Sequence, residues 1–509
     1  MDNLNFPLAF QKDFLYNNIH WILSGVEMNS LHKRYILFFL ISALVWAIVP
    51  MLRQSLPLDT QEALVWGKYC LWGTTKHPPL SGWIAWSFYS LVGKTDSLFY
   101  VLNPLCVLVG CFGIYKLAKC FLPPLSALMA TAFQLGVVFY TFSAVEFNVN
   151  VLSLALWPWA AYFFWQAYQK DKLKNWVLFG VFMALNILNK YVGSVLGIAL
   201  LAFVLFNKKA WRVFKNPRAY CAGIVCVLLL IPHLLWLYDT HFEMLKYIGT
   251  RNNVGKIKSV LRHVVYPVKF LMAQILFALP AGLTFWFFSR KIKKTTLPSN
   301  RERKLFLLCV GIIPTAFWMI SSFLSGNALK DMWNFPSLFA WGIVAFYFFP
   351  KSWTSSVAKK YGCVMLGWSL IFAVGYVGQC LISPSERFQS DCPKIVANLE
   401  TKWANRTGKH LEYVGGNIWF SDMMALYGTA KPMIWMNPES NPWFNADDFY
   451  QKGALVVAEN MGEYKDFQAR YKGKISDPEV VEMIYQSPLG KKKTKQLVWG
   501  IYEGGKNEE

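Results

Sequence analysis

Charged residues are scarce in this 509-residue chain, at 16% of the total, whereas soluble domains contain roughly 25%. Hydrophobic residues account for 55% and aromatic residues for 17%. Apolar runs of about 20 residues recur through the first three quarters of the chain, and each can cross the ~30 Å hydrocarbon core of a bilayer. The composition therefore excludes a purely soluble enzyme and predicts a polytopic α-helical membrane protein.

Acidic residues are also few, 29 against 51 basic residues, and the formal net charge is +22. The excess is confined to residues 1–383, which hold 35 Lys and Arg but 12 Asp and Glu, whereas residues 384–509 hold 16 and 17. A basic excess beside apolar spans marks cytoplasmic loops. We therefore expect membrane lipids, and no nucleic acid, among the partners of the chain.

Paired cysteines and a secretory leader are lacking as well. Nine of the 10 cysteines lie in or beside apolar runs, with no spacing typical of a zinc site or a disulfide framework. Residues 1–33 are mixed polar and aromatic, and the first apolar run is a full span, so no cleavable signal peptide is expected.

The apolar runs predict about eleven transmembrane helices. They lie near residues 34–52, 97–117, 124–142, 149–168, 176–189, 191–206, 219–237, 264–288, 305–323, 332–349 and 361–383. With a cytoplasmic N-terminus, the inner side holds 23 basic residues and the outer side 12. The sequence thus predicts a cytoplasmic or interfacial segment at 1–33, a transmembrane domain at 34–383 and an outer, periplasmic domain at 384–509.

Helix-like and strand-like runs alternate in the C-terminal region, which predicts a small α/β domain. The helix-like runs are 393–406 and 418–428, and the strand-like runs are 411–416, 432–436 and 453–459. No catalytic motif is present there. This favours a domain that covers the mouth of a membrane site.

Carboxylates near the membrane are costly and therefore informative. Seven of the twelve in residues 1–383 fall on the outer side: Asp59, Glu62, Asp96, Glu146, Asp239, Glu243 and Asp331. In the long outer loop 53–83, the three-residue spacing of Asp59 and Glu62 places both on one helix face, which Trp66 and Tyr69 continue. This pair is either catalytic or part of an interfacial helix whose acids meet water.

Three basic side chains are candidates for binding a phosphate. Lys76 and His77 precede two prolines that fix the backbone, and Lys190 interrupts an apolar run at an outer turn. The alternatives are an ordinary proline-terminated loop for Lys76 and a snorkelling helix-end residue for Lys190.

Other outer residues are candidates for substrate binding. Glu146, Asn148 and Asn150 can bind sugar hydroxyls, although the two asparagines are equally explained as helix caps. The basic outer loop at 238–263, with Arg251 and Lys256, indicates either an anionic lipid substrate or simple contact with headgroups.

The histidines do not define a metal site. His233, His241 and His263 lack a metal-binding spacing, so each is more readily explained as an isolated polar residue, and a divalent metal stays an open alternative.

The loop DTQEALVWGKYCLWGTTKHPPLSGW at 59–83 resembles the first periplasmic loop of the GT-C glycosyltransferases related to protein O-mannosyltransferases and to the 4-amino-4-deoxy-L-arabinose lipid A transferases. The similarity continues through residues 146–158, 186–193, 231–236 and 330–336. It implies a bacterial inner-membrane enzyme that takes a sugar from a polyprenyl-phosphate carrier, using an acidic motif in this loop.

The resemblance and the basic outer loop together favour lipid A as acceptor. Ser/Thr of secreted proteins is the alternative acceptor, and a transporter or flippase of a lipid-linked sugar is the alternative from another class. The expected site comprises Asp59 and Glu62 as catalytic residues, Lys76, His77 and Lys190 on the donor phosphate, and Glu146, Asn148, Asn150, Arg251 and Lys256 on the substrate. Which sugar is transferred stays open.

Overall fold

The computed structural model describes residues 30–246, 259–298, 300–435, 446–470 and 474–503. Most of the predicted N-terminal segment lies outside these residues. So do two predicted substrate contacts, Arg251 and Lys256.

Helices dominate the chain up to residue 382. They are α1 (Ser30–Ile48), α2 (Leu58–Lys68), α3 (Leu80–Leu91), α4 (Asp96–Phe99), α5 (Leu102–Ala118), α6 (Pro124–Ala132), α7 (Val149–Lys170), α8 (Leu173–Asn189), α9 (Gly193–Phe206), α10 (Pro217–Asp239), α11 (Arg262–Ser289), α12 (Arg301–Ser325), α13 (Trp341–Phe348) and α14 (Ser355–Ile382). Short 3₁₀ segments connect several of them. Each predicted span overlaps a helical segment of this list.

Six of these segments are long and apolar enough to cross a membrane, and two bent helix pairs raise the number to eight. This is fewer than the eleven expected from the sequence. The difference comes from three predicted spans: α7, the 17-residue α8, and the 3₁₀ helix Asp331–Ala340 that leads into α13. The helical membrane fold is nevertheless confirmed, and α1 illustrates it by exposing Leu37, Leu40, Leu44 and Ile48 along one face.

Two short helices fold the long loop 53–83 over the membrane helices. Helices α2 and α3 cross at Gly67 and Gly82, where a Cβ added to Gly67 would lie 2.0 Å from the carbonyl oxygen of Gly82. Only glycine permits this approach, because any side chain would collide with backbone. The crossing fixes the acidic helix α2 against the turn that carries Lys76.

The C-terminal region contains a five-stranded sheet. Its elements are α15 (Glu386–Gln389), α16 (Cys392–Thr407), β1 (Tyr413–Gly416), α17 (Ile418–Tyr427), β2 (Met433–Trp435), α18 (Ala446–Lys452), β3 (Ala454–Ala458), α19 (Met461–Arg470), β4 (Glu479–Gln486) and β5 (Lys492–Tyr502). The strand order is β2-β1-β3-β5-β4, with β1 parallel to β2 and β3, and β5 antiparallel to β3 and β4. The predicted α/β fold is confirmed, whereas the β4–β5 hairpin was not predicted.

This C-terminal region packs directly on the acidic loop. Helix α17 lies against α2, and the Tyr427 hydroxyl donates to Asp96 Oδ2 at 2.6 Å while accepting from the Leu56 amide at 3.2 Å. The Cys392 amide donates to Ser55 Oγ at 3.1 Å. Because these contacts are largely buried, the C-terminal region forms part of the wall around the acidic residues.

Candidate active site

Two cavities meet at Asp59. The first has a volume of about 380 Å³ and is lined by Glu62, Lys76, His77, Lys190 and Tyr191 among others. The second has a volume of about 690 Å³ and is lined by Arg53, Glu146, Arg387 and Trp419 among others. Both are lined by Asp59, Asn148, Asn150 and Met332. A carboxylate at such a junction can reach groups that enter from either cavity.

Asp59 lies in the first turn of α2, where the positive end of the helix dipole favours an anion. Asn148 Nδ2 donates to Asp59 Oδ2 at 3.2 Å. The same asparagine caps α7, since its Oδ1 accepts from the amides of Asn150 and Val151 at 2.8 and 3.4 Å. The helix-cap alternative therefore describes Asn148 correctly, and the cap holds its amide against Asp59.

Lys76 and His77 project from a turn organised by Thr74. The Thr74 hydroxyl accepts from the amides of Lys76 and His77 at 3.2 and 3.0 Å, and donates to the His77 carbonyl at 3.0 Å. The Lys76 ammonium forms an ion pair with the buried carboxylate of Glu62. The structure thus joins three of the predicted site residues on one wall of the first cavity.

Lys190 follows the end of α8, where the helix dipole favours a cation. Its ammonium donates to Asn150 Oδ1 at 2.7 Å. The chain then turns sharply into α9, because a Cβ on Gly193 would lie 2.7 Å from the Asn186 backbone. This turn directs Lys190 into the first cavity, on which Lys76 and His77 also border.

Glu146 belongs to the second cavity and is held by two arginines. Arg53 Nη1 and Arg387 Nε lie 2.7 and 2.8 Å from Glu146 Oε1. Burial raises the pKa of the Glu146 carboxyl, but the charges of Arg53 and Arg387 outweigh burial, so its pKa lies below the usual value. Glu146 therefore carries its charge at neutral pH and orients Arg387, whose side chain is 65% exposed.

Several lining residues were missed by sequence reasoning. Arg387 and Trp419 come from the C-terminal region, far from the membrane site in sequence. Tyr191 lines the first cavity, and its hydroxyl lies 2.7 Å from Nε2 of His233. His233 Nδ1 lies 2.6 Å from the Trp72 carbonyl oxygen, so this histidine is hydrogen-bonded and is not the isolated polar residue that the sequence predicted. Within the described residues, no three His, Cys, Asp or Glu side chains cluster as metal ligands would.

Comparison of the sequence with known proteins gives two matches. Residues 76–236 match the family model described as dolichyl-phosphate-mannose-protein mannosyltransferase. The chain is 23% identical over 306 residues to the lipopolysaccharide core galacturonosyltransferase RgtB of Rhizobium johnstonii. That alignment covers 58% of this chain and 60% of the relative, so it leaves a substantial part of both proteins unmatched.

The structural similarity extends over nearly the whole chain. ArnT from Cupriavidus metallidurans bound to undecaprenyl phosphate superposes with a TM-score of 0.62 at 15% identity, covering 91% of this chain and 97% of that one. The apo form of the same ArnT gives 0.61 at 14% identity, covering 94% and 99%. At such low identity, these superpositions establish the shared fold.

Proposed function

Since this chain has the GT-C fold of membrane glycosyltransferases, we propose that it transfers a sugar from a polyprenyl-phosphate donor to lipid A at the periplasmic face of a bacterial inner membrane. The observation that carries this proposal is the junction of two cavities at Asp59. One cavity is lined by cations suited to a phosphate, and the other opens beside an exposed arginine.

The first cavity is the proposed donor site. Lys76, His77 and Lys190 line it together, and charge-assisted contacts of this kind hold a phosphate strongly. In the reaction, the bond between the anomeric carbon and the phosphate oxygen breaks, and the carrier phosphate leaves with the bonding electrons. Cations placed at that phosphate stabilise the negative charge that develops on it.

Because Asp59 lines both cavities, it is the proposed group at the meeting of the acceptor oxygen and the anomeric carbon. If the acceptor is a hydroxyl, Asp59 removes its proton as the new glycosidic bond forms. If the acceptor is a lipid A phosphate, its oxygen is already ionised and needs no base. Asp59 then orients the reacting groups and stabilises positive charge at the anomeric carbon.

The second cavity is the proposed acceptor site. At about 690 Å³ it is the larger of the two. Arg387 lines it with a mostly exposed side chain that Glu146 holds in place. A guanidinium matches the geometry of a phosphate, which supports an anionic acceptor such as lipid A.

Transfer to Ser or Thr of secreted proteins is the second candidate, and the mannosyltransferase family match favours it. That match spans residues 76–236, which include Lys76, His77 and Lys190 but not Arg387. The family match therefore supports the proposed donor site more than it supports either acceptor.

Mass spectrometry of lipid A and of secreted glycoproteins tests the choice between the two acceptors. The samples come from a deletion strain and from the same strain complemented with the gene. Loss of a sugar from lipid A alone supports the proposal. Loss from proteins alone replaces lipid A with a protein acceptor, and unchanged glycosylation accompanied by accumulated lipid-linked sugar would indicate a flippase.

A further inference from the structure

A carboxylic acid from the C-terminal region lies behind the proposed donor site. Asp422 is on α17, which packs against α2. Its side chain is 1% exposed, and neither carboxyl oxygen has a hydrogen-bond partner within the described part of the chain. An ionised carboxylate in that environment is strongly disfavoured, because nothing replaces its lost hydration.

Two residues of the proposed donor site, Glu62 and Lys76, act electrostatically on Asp422. Burial raises the pKa of Asp422 well above its usual value; the charge of Glu62 raises it further, and that of Lys76 opposes the rise. Tyr69, at the end of α2, also faces Asp422, and its own pKa is raised to about 12 by burial and by the Asp422 charge. The Asp422 carboxyl is therefore within electrostatic reach of the Glu62–Lys76 ion pair.

The state of Asp422 determines how much positive charge a donor phosphate meets. With Asp422 neutral, the Glu62–Lys76 pair has no net charge, and the Lys76 ammonium is attracted to one carboxylate only. With Asp422 ionised, the cluster carries one net negative charge, and two carboxylates compete with the phosphate for Lys76. Such a charge acts over several ångströms in a poorly hydrated site.

We propose that Asp422 is a positioning residue that, while protonated, leaves the Lys76 ammonium available to the donor phosphate. The inference rests on the proposed function, since it assumes that a polyprenyl phosphate enters the first cavity. It assigns the C-terminal region a direct part in donor binding as well as in covering the membrane site.

The test measures binding of undecaprenyl phosphate to the purified full-length protein in detergent, by tryptophan fluorescence at about pH 6 and about pH 9. The quantity of interest is the ratio of the two dissociation constants. The phosphate of the probe itself titrates, so the wild-type ratio is compared with that of Asp422→Asn, which cannot ionise. Asp466→Asn, exposed on α19 of the same region, is the matched control.

We expect the ratio of the dissociation constant at pH 9 to that at pH 6 to be about tenfold larger for wild type and Asp466→Asn than for Asp422→Asn. Asp422→Ala is a second neutral variant and should give the same ratio as Asp422→Asn. Agreement between the two variants would show that the result does not come from a folding defect in one of them. Equal ratios in wild type and both Asp422 variants would overturn the inference. Failure of the wild type to bind undecaprenyl phosphate at either pH would instead overturn the proposed donor.

Discussion

Replacing Lys190 with methionine is the sharpest test of the donor site. The change keeps most of the length of the side chain and removes its charge. The Lys190 ammonium donates to the neutral amide oxygen of Asn150 at 2.7 Å. Lys76 is less suitable, because its removal takes an ion-pair partner from the buried carboxylate of Glu62 and would also destabilise the fold.

The magnitude follows from the type of contact. A hydrogen bond to a charged group contributes about 1.5 to 3 kcal/mol, and about 1.4 kcal/mol corresponds to a factor of ten. Lys190→Met should therefore lower kcat/KM for the polyprenyl-phosphate donor by about tenfold to 150-fold. The melting temperature of the detergent-solubilised protein should change little.

The assay is transfer of radiolabelled sugar at varied donor concentration, with Lys246→Met as the matched control. Lys246 is an exposed lysine that pairs with Glu243 at 3.0 Å, so its loss should change donor use less than about twofold. A properly folded Lys190→Met enzyme that keeps nearly wild-type donor kcat/KM would refute the assignment of Lys190 to the carrier phosphate.

Three further predictions concern the catalytic group, the acceptor and the topology. Asp59→Asn should lower turnover by about a hundredfold or more if Asp59 is a general base, with normal membrane insertion, and Glu62→Gln should be milder; near wild-type turnover of Asp59→Asn removes it from the mechanism. Arg387→Ala should raise the KM for lipid A by about threefold to tenfold without changing the KM for the donor, and an unchanged acceptor KM means that the anion binds elsewhere. A phosphatase fused after Glu509 should be active in the periplasm, whereas activity of a cytoplasm-restricted reporter there would reverse the topology.

The sequence was sufficient where the relevant residues lie close together along the chain. The Asp59 and Glu62 spacing on one helix, the Lys76 and His77 turn, and the alternating C-terminal runs all depend on local periodicity or turn chemistry. The structure places both acids, with Lys76, His77 and Lys190, on one cavity. Their roles stay predictions.

Long-range pairings were beyond such reasoning. Arg387 meets Glu146 across 241 positions of sequence, and the charge of Glu62 acts on Asp422 although no periodic pattern connects them. Hydropathy also measures apolar length but not direction, so it could not show that residues 124–136 and 138–145 bend by 85°. That bend is one reason why only six single helices in the described residues are long enough to cross a membrane.

The division of the two cavities between parts of the chain suggests how related enzymes could diversify. The cationic residues of the first cavity precede residue 200, whereas the second cavity takes Glu386, Arg387 and Trp419 from beyond residue 383. Grafting onto this membrane domain the C-terminal region of a relative that keeps an acid at the position of Asp422 would thus exchange the proposed acceptor contacts and retain the residues proposed to hold the sugar carrier. Such a chimera would have to preserve the Tyr427 contact with Asp96, because that hydrogen bond is one of those that join the two parts.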